Sequence, residues 1–274
     1  MMDNESFFIR QLHSKQIGDD GAVIGQTVYS MDAFCEDIHF RRAWMTPAQI
    51  GRKAMLVNLS DAVAMNAIPR YALVTAALPR DFSREEIVEL IQALEKTAEE
   101  WGCEIIGGDT VGGEKLHLSI TLISHAEAPL MRTGIRTGDL IAYTGRLGES
   151  GRELVRLEAG QSLPDDARFF QPTLRAEFIR EARPLLRAGM DISDGLYCDT
   201  NKLLDLNKTG MNILKNIDTE TGSSGEEYEM LIVFDRKHIE TLKKLALSMD
   251  VPLNIFASVT QNTNRFPCKS HHFG

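Results

Sequence analysis

The chain has 274 residues, 43% of them apolar, with 30 basic and 39 acidic side chains and a formal charge of −9. Such a length allows one large domain or two ordinary ones with a real core; the acidic balance excludes the basic surface that nucleic-acid binding uses, and the lack of any run of about 18 apolar residues excludes a membrane-spanning helix. Cys35, Cys103, Cys198 and Cys268 form no Cys-x-x-Cys pair, and the first ten residues carry Asp3 and Glu5 instead of a secretion signal, so a reducing cytoplasm is expected, with neither a zinc site nor a disulfide framework.

In chain order, residues 28–31 read as a short strand ending at Asp32. Thr46-Pro47, an N-cap followed by proline, predicts a helix to about Asn66. Residues 71–78 are strand-like, and Ser83 with Glu86 forms a capping box for a helix bearing Ile87, Leu90, Ile91, Leu94 and Ala98 on one face, closed by Gly102. A strand over 103–106 runs into Gly107-Gly108-Asp109-Thr110, and 116–123 alternates as a half-exposed strand does. Residues 140–144 predict a strand leading through Gly145, Gly148 and Gly151 into a helix, and a helix over 174–187 is bent at Pro184. A strand at 190–193, a helix at 194–208 capped by Gly210, a polar stretch at 218–224, a strand at 230–234, a helix at 235–249 and a strand at 253–259 complete the chain. Strands and helices mix throughout, so the class is α/β or α+β, with a domain boundary near 133–138.

The acidic residues are placed unevenly. Asp20 follows Gly18-Asp19, Asp32 closes a predicted strand, Asp109 follows one, and Asp191 and Asp194 bracket Ile192-Ser193 where a strand gives way to a helix. For any one position a helix cap or an Asp-Gly turn is the simpler account. Five such positions without matching cations strain that account, and oxygen donors beside glycines suit a hard cation. Asp61 lies inside a helix, on a narrow stripe with Lys53, Asn58 and Ser60. That stripe is either a solvated side or a face approached by another group, and spacing does not decide which. There is no Gly-x-x-x-x-Gly-Lys-Ser/Thr loop and no kinase catalytic-loop pattern. Gly145-x-x-Gly148-x-x-Gly151 is more simply a tight strand-to-helix connection than a phosphate cradle.

Taken together and in order, six segments resemble thiamine-monophosphate kinases over most of the chain: Ile17-Gly-Asp-Asp-Gly-Ala-Val-Ile24, Asp32 with Asp37-Ile-His-Phe40, Lys53-Ala-Met-Leu-Val-Asn-Leu-Ser-Asp61-Ala-Val-Ala-Met65, Ile106-Gly-Gly-Asp-Thr110, Met190-Asp-Ile-Ser-Asp-Gly-Leu196 and Gly225-Glu-Glu-Tyr-Glu229. The resemblance implies the two-domain fold of aminoimidazole ribonucleotide synthetase, shared with selenophosphate synthetase and a hydrogenase maturation protein. In that fold residues 1–134 would form an ATP- and Mg²⁺-binding α/β domain that makes a homodimer through a β-barrel, and 135–274 a shortened C-terminal α/β domain. It also implies ATP-dependent phosphorylation of thiamine monophosphate to thiamine diphosphate.

Position by position, the resemblance matches Asp20, Asp32, Asp61, Asp109, Asp191 and Asp194 to magnesium ligands. Arg132, Ser193, Gly108 and Asp109 match ATP contacts, and His39 and Glu226 match substrate contacts. No acid, base or nucleophile is assigned, because the attacking phosphate oxygen is already ionised near neutral pH, with a second pKa of about 6. Positioning and metal charge carry the catalysis, with Asp109 and Asp61 most critical. Several Mg²⁺ ions would also reconcile an acidic cleft with a polyanionic nucleotide.

The departures are Met31 in place of the usual threonine, Glu227 in place of the usual aspartate, a short 210–225 segment, and a tail without the substrate-contacting tryptophan. Tyr228 and Phe266 are the candidate aromatic replacements, and these changes are expected on the substrate side. Two alternatives stand beside this reading. One is another enzyme of the same fold, although no N-terminal reactive cysteine or cysteine tail of the related enzymes occurs. The other is a nucleotide-binding protein without catalysis, against which the retained carboxylates argue.

Overall fold

The computed structural model describes residues 4–268, so Asp3 and the tail from Lys269 onward lie outside the described residues. Helix α1 (Asn4–Arg10) precedes β1 (Ala22–Ile24), β2 (Thr27–Cys35), α2 (Pro47–Ala64), β3 (Ile68–Pro79), α3 (Arg84–Glu100), β4 (Glu104–Gly113) and β5 (His117–His125). Then follow β6 (Leu140–Thr144), α4 (Glu149–Glu158), α5 (Ala176–Ala182), β7 (Leu186–Asp191), α6 (Leu196–Leu206), β8 (Gly210–Ile213), α7 (Thr219–Gly222), β9 (Met230–Phe234), α8 (Ile239–Ser248) and β10 (Leu253–Thr260).

The first sheet has the order β1-β2-β5-β3-β4, with β3 and β4 parallel and the other neighbours antiparallel. Both long helices of this half begin at the predicted caps: Thr46 and Gln49 exchange side-chain-to-amide bonds at α2, and Ser83 and Glu86 do so at α3. Helix α2 lies across β2 and β5, with α3 packed on it. Its far end, Val63 and Ala64, packs into the core of the second sheet. Contact with both halves explains why α2 is apolar nearly all round, and why Lys53, Asn58 and Ser60 on its polar stripe are buried instead of solvated. The opposite face of the first sheet exposes Tyr29, Met31, Tyr71, Leu73, Ile106 and Val111.

The second sheet, β7-β9-β6-β10-β8, is antiparallel throughout. Strands β6 and β9 are buried along their whole length. Alternate residues serve two layers, as a period of two requires: Leu140, Ala142, Met230 and Ile232 pack with α5 and α8, while Ile141, Tyr143, Leu231 and Val233 pack with α6.

Several expectations need correction. Asp32 and Asp109 are not at strand ends. β2 continues to Cys35 and β4 to Gly113 because their partners β5 and β3 supply ladder bonds beyond the predicted ends. The helix expected over 174–187 is confined to Ala176–Ala182. A 3₁₀ turn at Arg183–Leu185, containing Pro184, ends it, and Leu186 already pairs with β9. Gly210, expected to cap the preceding helix, instead opens β8, an edge strand too short to show a period, while the C-cap of α6 is Asn207. Cys198 and Cys268 form a disulfide, contrary to expectation, with Cα atoms 5.3 Å apart across 70 residues of sequence. The last described segment folds back over α6, where Phe266 stacks on Tyr197 and its backbone N–H and C=O bond the Asn201 side chain. Sequence spacing carries no trace of that return.

Candidate functional site

Three distant segments deliver carboxylates to one point. Asp20 comes from the loop before β1, Asp61 from the last turn of α2 and Asp191 from the end of β7, and each offers an oxygen within 4.8 Å of the others. The Ser60 hydroxyl donates to Asp191 at 2.6 Å. Arg132 pairs with Asp20, and its backbone N–H donates to Asp19 at 2.6 Å. Asp32 faces the same helix from β2, with its amide donating to the buried Asn58 side chain at 2.9 Å.

Burial first, then the Asp32, Asp191 and Asp20 charges, push the Asp61 carboxyl well above the usual carboxylate range. Burial and then Asp20 do the same to Asp191. A group of buried, mutually repelling oxygen donors with Arg132 as the cation among them suits a hard divalent cation better than a protein side chain.

The other predicted ligands stand apart. Asp109 pairs in register with Thr75, which puts it on the outward face of the first sheet, where it is exposed and accepts the Thr110 amide at 2.8 Å. The expectation that it converges with the other aspartates is therefore not met, because strand alternation points it away from α2. Gly108 lies against β3, where a Cβ would come within 1.7 Å of the Val74 carbonyl oxygen, so its place in the motif has a packing reason. Met31 is exposed on the same outward face as Asp109, away from the carboxylate group.

Asp194 and Ser193 line a cavity of about 450 Å³ together with Asp37, His39, Phe169 and Glu226. Asp194 is paired with Lys202 there. The Cys35 amide donates to His39 Nδ1 at 3.0 Å, which leaves Nε2 as the protonated nitrogen of the neutral ring. Glu226 (φ +54°) and Tyr228 (φ +52°) both hold left-handed backbone, and the Glu226 and Tyr228 amides donate to the Ser193 and Ile192 carbonyls. The two motifs thus form one paired wall, with strain held where the cavity is shaped.

The sequence reading placed Lys53 on the α2 stripe without a partner and did not single out Asp199. Lys53 is buried and donates to Glu226 at 2.6 Å. Asp199, in the first turn of α6, accepts the Asp194 amide at 3.0 Å, and burial pushes its carboxyl up to about 7, with Lys202 opposing. Its place five residues after Asp194 was the available signal.

Glu227 does not face the substrate side. It is fully buried, accepts from the Gly148 amide at 2.7 Å and the Ser224 hydroxyl at 2.6 Å, and pairs with Arg168, so its longer side chain reaches the start of α4. Glu229 takes both arms of Arg175, and a Cβ at Gly145 would lie 1.7 Å from its carboxylate. With the Gly148 and Gly151 amides given to Glu227 and Ser224, the glycine turn is a structural connection. Phe266 is buried against Tyr197, and Tyr228 lies in the core beside the carboxylates, so neither lines the cavity; Phe169 is the aromatic residue that does.

Residues 18–126 match the family model described as "AIR synthase related protein, N-terminal domain". The chain is 32% identical over 215 residues to the thiamine-monophosphate kinase of Aquifex aeolicus, covering 75% of this chain and 70% of that protein. It is 31% identical over 242 residues to the one from Leptospira interrogans, covering 81% and 79%. A solved structure described as "AaThiL complexed with AMPPCP and TMP" superposes with a TM-score of 0.83 at 26% identity, covering 96% of this chain and 91% of that one. With identity above 30% spread across both halves and the same fold beneath it, the chain belongs to the thiamine-monophosphate kinase family.

Proposed function

We infer that this chain is a thiamine-phosphate kinase, transferring the γ-phosphoryl group of ATP to thiamine monophosphate to give thiamine diphosphate. The observation that carries the reading is the adjacency of two built subsites, a buried carboxylate group and a 450 Å³ cavity lined by His39 and Glu226, in a chain similar to a kinase solved with an ATP analogue and TMP.

Asp20, Asp61 and Asp191, with Asp32 beside them, fit Mg²⁺: they are all-oxygen donors, buried or half-buried and short of cations. Bound Mg²⁺ would neutralise phosphate charge and stabilise that which develops in transfer. Arg132, beside Asp20, and Ser193, on the cavity wall, would meet the nucleotide. Asp109 and Asp194, outside the three-carboxylate group, would serve further ions or the nucleotide from their own positions. In the cavity, His39 would donate from Nε2 to the acceptor phosphate, and Glu226 would accept from the acceptor's ring system. No side chain need remove a proton from an already ionised phosphate oxygen.

The two separate sheets support a division into units 1–134 and 135–274. The exposed apolar face of the first sheet supports a homodimer through that unit. Among the described residues no helix is long and apolar enough to cross a membrane. Incubating purified protein with ATP, Mg²⁺ and thiamine monophosphate, and resolving the products by chromatography, tests the activity. Folded protein that binds ATP and forms no thiamine diphosphate would overturn it.

A further inference from the structure

Helix α2 spans the site from end to end. Ser60 and Asp61 meet the carboxylate group, while Lys53 meets Glu226 in the cavity. Seven to eight residues at 1.5 Å each make roughly 11–12 Å along the axis, so one rigid element sets the separation of the two subsites.

Lys53 is 1% exposed, although lysine is seldom buried without a partner. Its ammonium lies 2.6 Å from Glu226 Oε2 and 3.6 Å from the centroid of the Phe169 ring, with the Phe34 ring 5.7 Å away. A buried ammonium is stable only when paired and hydrogen-bonded, and Glu226, 173 residues away in sequence, is the partner within bonding distance. Glu226 is the responsive end of this pair, being partly exposed, in left-handed backbone and on the cavity wall. The other cavity acids have cations of their own, Asp37 with Lys115 and Asp194 with Lys202. Lys53 also packs on Phe169, the aromatic side chain of that wall.

Resting on the thiamine-phosphate kinase reading, we propose that Lys53 is a positioning residue for the acceptor: its buried ammonium holds Glu226 in one orientation across the cavity, ready for the cationic, amine-bearing ring system of the substrate, and holds Phe169 as the adjoining wall. Lys53 touches no reacting atom and acts through these two side chains.

Steady-state kinetics for both substrates on wild type, Lys53→Met, Glu226→Gln and the double variant test this. Methionine keeps the length and packing of Lys53 without its charge. Each single change should raise the thiamine monophosphate KM roughly tenfold or more while kcat and the ATP KM stay within about threefold. The double variant should be no worse than the worse single one, because both changes break the same pair. An unchanged acceptor KM in Lys53→Met overturns the proposal. So does a double variant equal to the product of the singles, or a loss shared by kcat and both KM values, as a packing defect would give. If Lys53→Met does not fold, Glu226→Gln carries the same KM-against-kcat comparison, and no selective loss there refutes the pairing. If wild type makes no thiamine diphosphate, the activity reading fails by itself. Calorimetric titration of thiamine monophosphate into the same proteins then decides for Lys53: roughly tenfold weaker binding in the variants supports it, and no binding by wild type ends it.

Discussion

Asp61 sits where burial and three neighbouring carboxylates all oppose its charge. Asp61→Asn keeps the shape and removes one repulsion, so in EDTA near pH 8 the variant should melt higher than wild type, whereas its kcat with Mg²⁺ should fall about 100-fold or more. Thermal melts and turnover on the same preparations check both halves, and a variant that melts lower in EDTA would refute the repulsion. Asp199 gives a pH window. Its carboxyl is raised to about 7, mainly by burial, so the folded chain keeps a proton that the unfolded chain loses near pH 4. The resulting stability is complete below about pH 4 and is lost as pH climbs through about 7. Metal-free protein should thus be less stable at pH 8 than at pH 5, and Asp199→Asn should shrink that difference by on the order of a few kcal/mol. Denaturant titrations of both proteins at the two pH values measure it.

Helices α2 and α3 are capped alike but differ in what they position. Ser83→Ala removes the cap of α3, which packs on α2, and should cost about 1 kcal/mol with turnover unchanged. Asn58→Ala acts at the buried seam of α2, where Asn58 accepts the Asp32 amide and donates to the Ala54 carbonyl. Leaving those groups unpaired should cost about 1–3 kcal/mol, and it should also raise the Mg²⁺ concentration for half-maximal activity because Asp32 is no longer held toward Asp61. Comparing urea unfolding with Mg²⁺ titrations for the two variants separates a helix that only packs from one that positions ligands. Equal Mg²⁺ curves for Asn58→Ala and wild type would remove that role.

Across the whole molecule, the Cys198–Cys268 bond ties the last described segment to α6, whose first turn carries Asp199. Closing a loop of 70 residues restricts the unfolded chain by up to about 4 kcal/mol. Reduction should therefore lower the melting temperature by several degrees, roughly 2–4 °C for each kcal/mol, and Cys268→Ser should start low and ignore reductant. Melts with and without dithiothreitol test this, and wild type that is indifferent to reductant would refute it. The apolar outward face of the first sheet carries the expectation of a dimer, and light scattering should give about twice the 30.6 kDa chain mass.

Local chemistry determined what could be read along the chain. The capping boxes at Thr46 and Ser83, the strands at 140–144 and 230–234, and the acid-bearing motifs were legible because each depends on residues a few positions apart. Tertiary structure decided which of these pieces meet. Strand pairing carried β2 and β4 past their predicted ends and turned Asp109 away from Asp61, since a side chain's face follows from register with a partner strand. Burial against both sheets turned the polar stripe of α2 into an internal seam, gave Lys53 a partner in Glu226, and drew Glu227 inward to α4. Asp20, Asp61 and Asp191 come from three separate segments, and their mutual repulsion exists only once the fold has excluded water from between them.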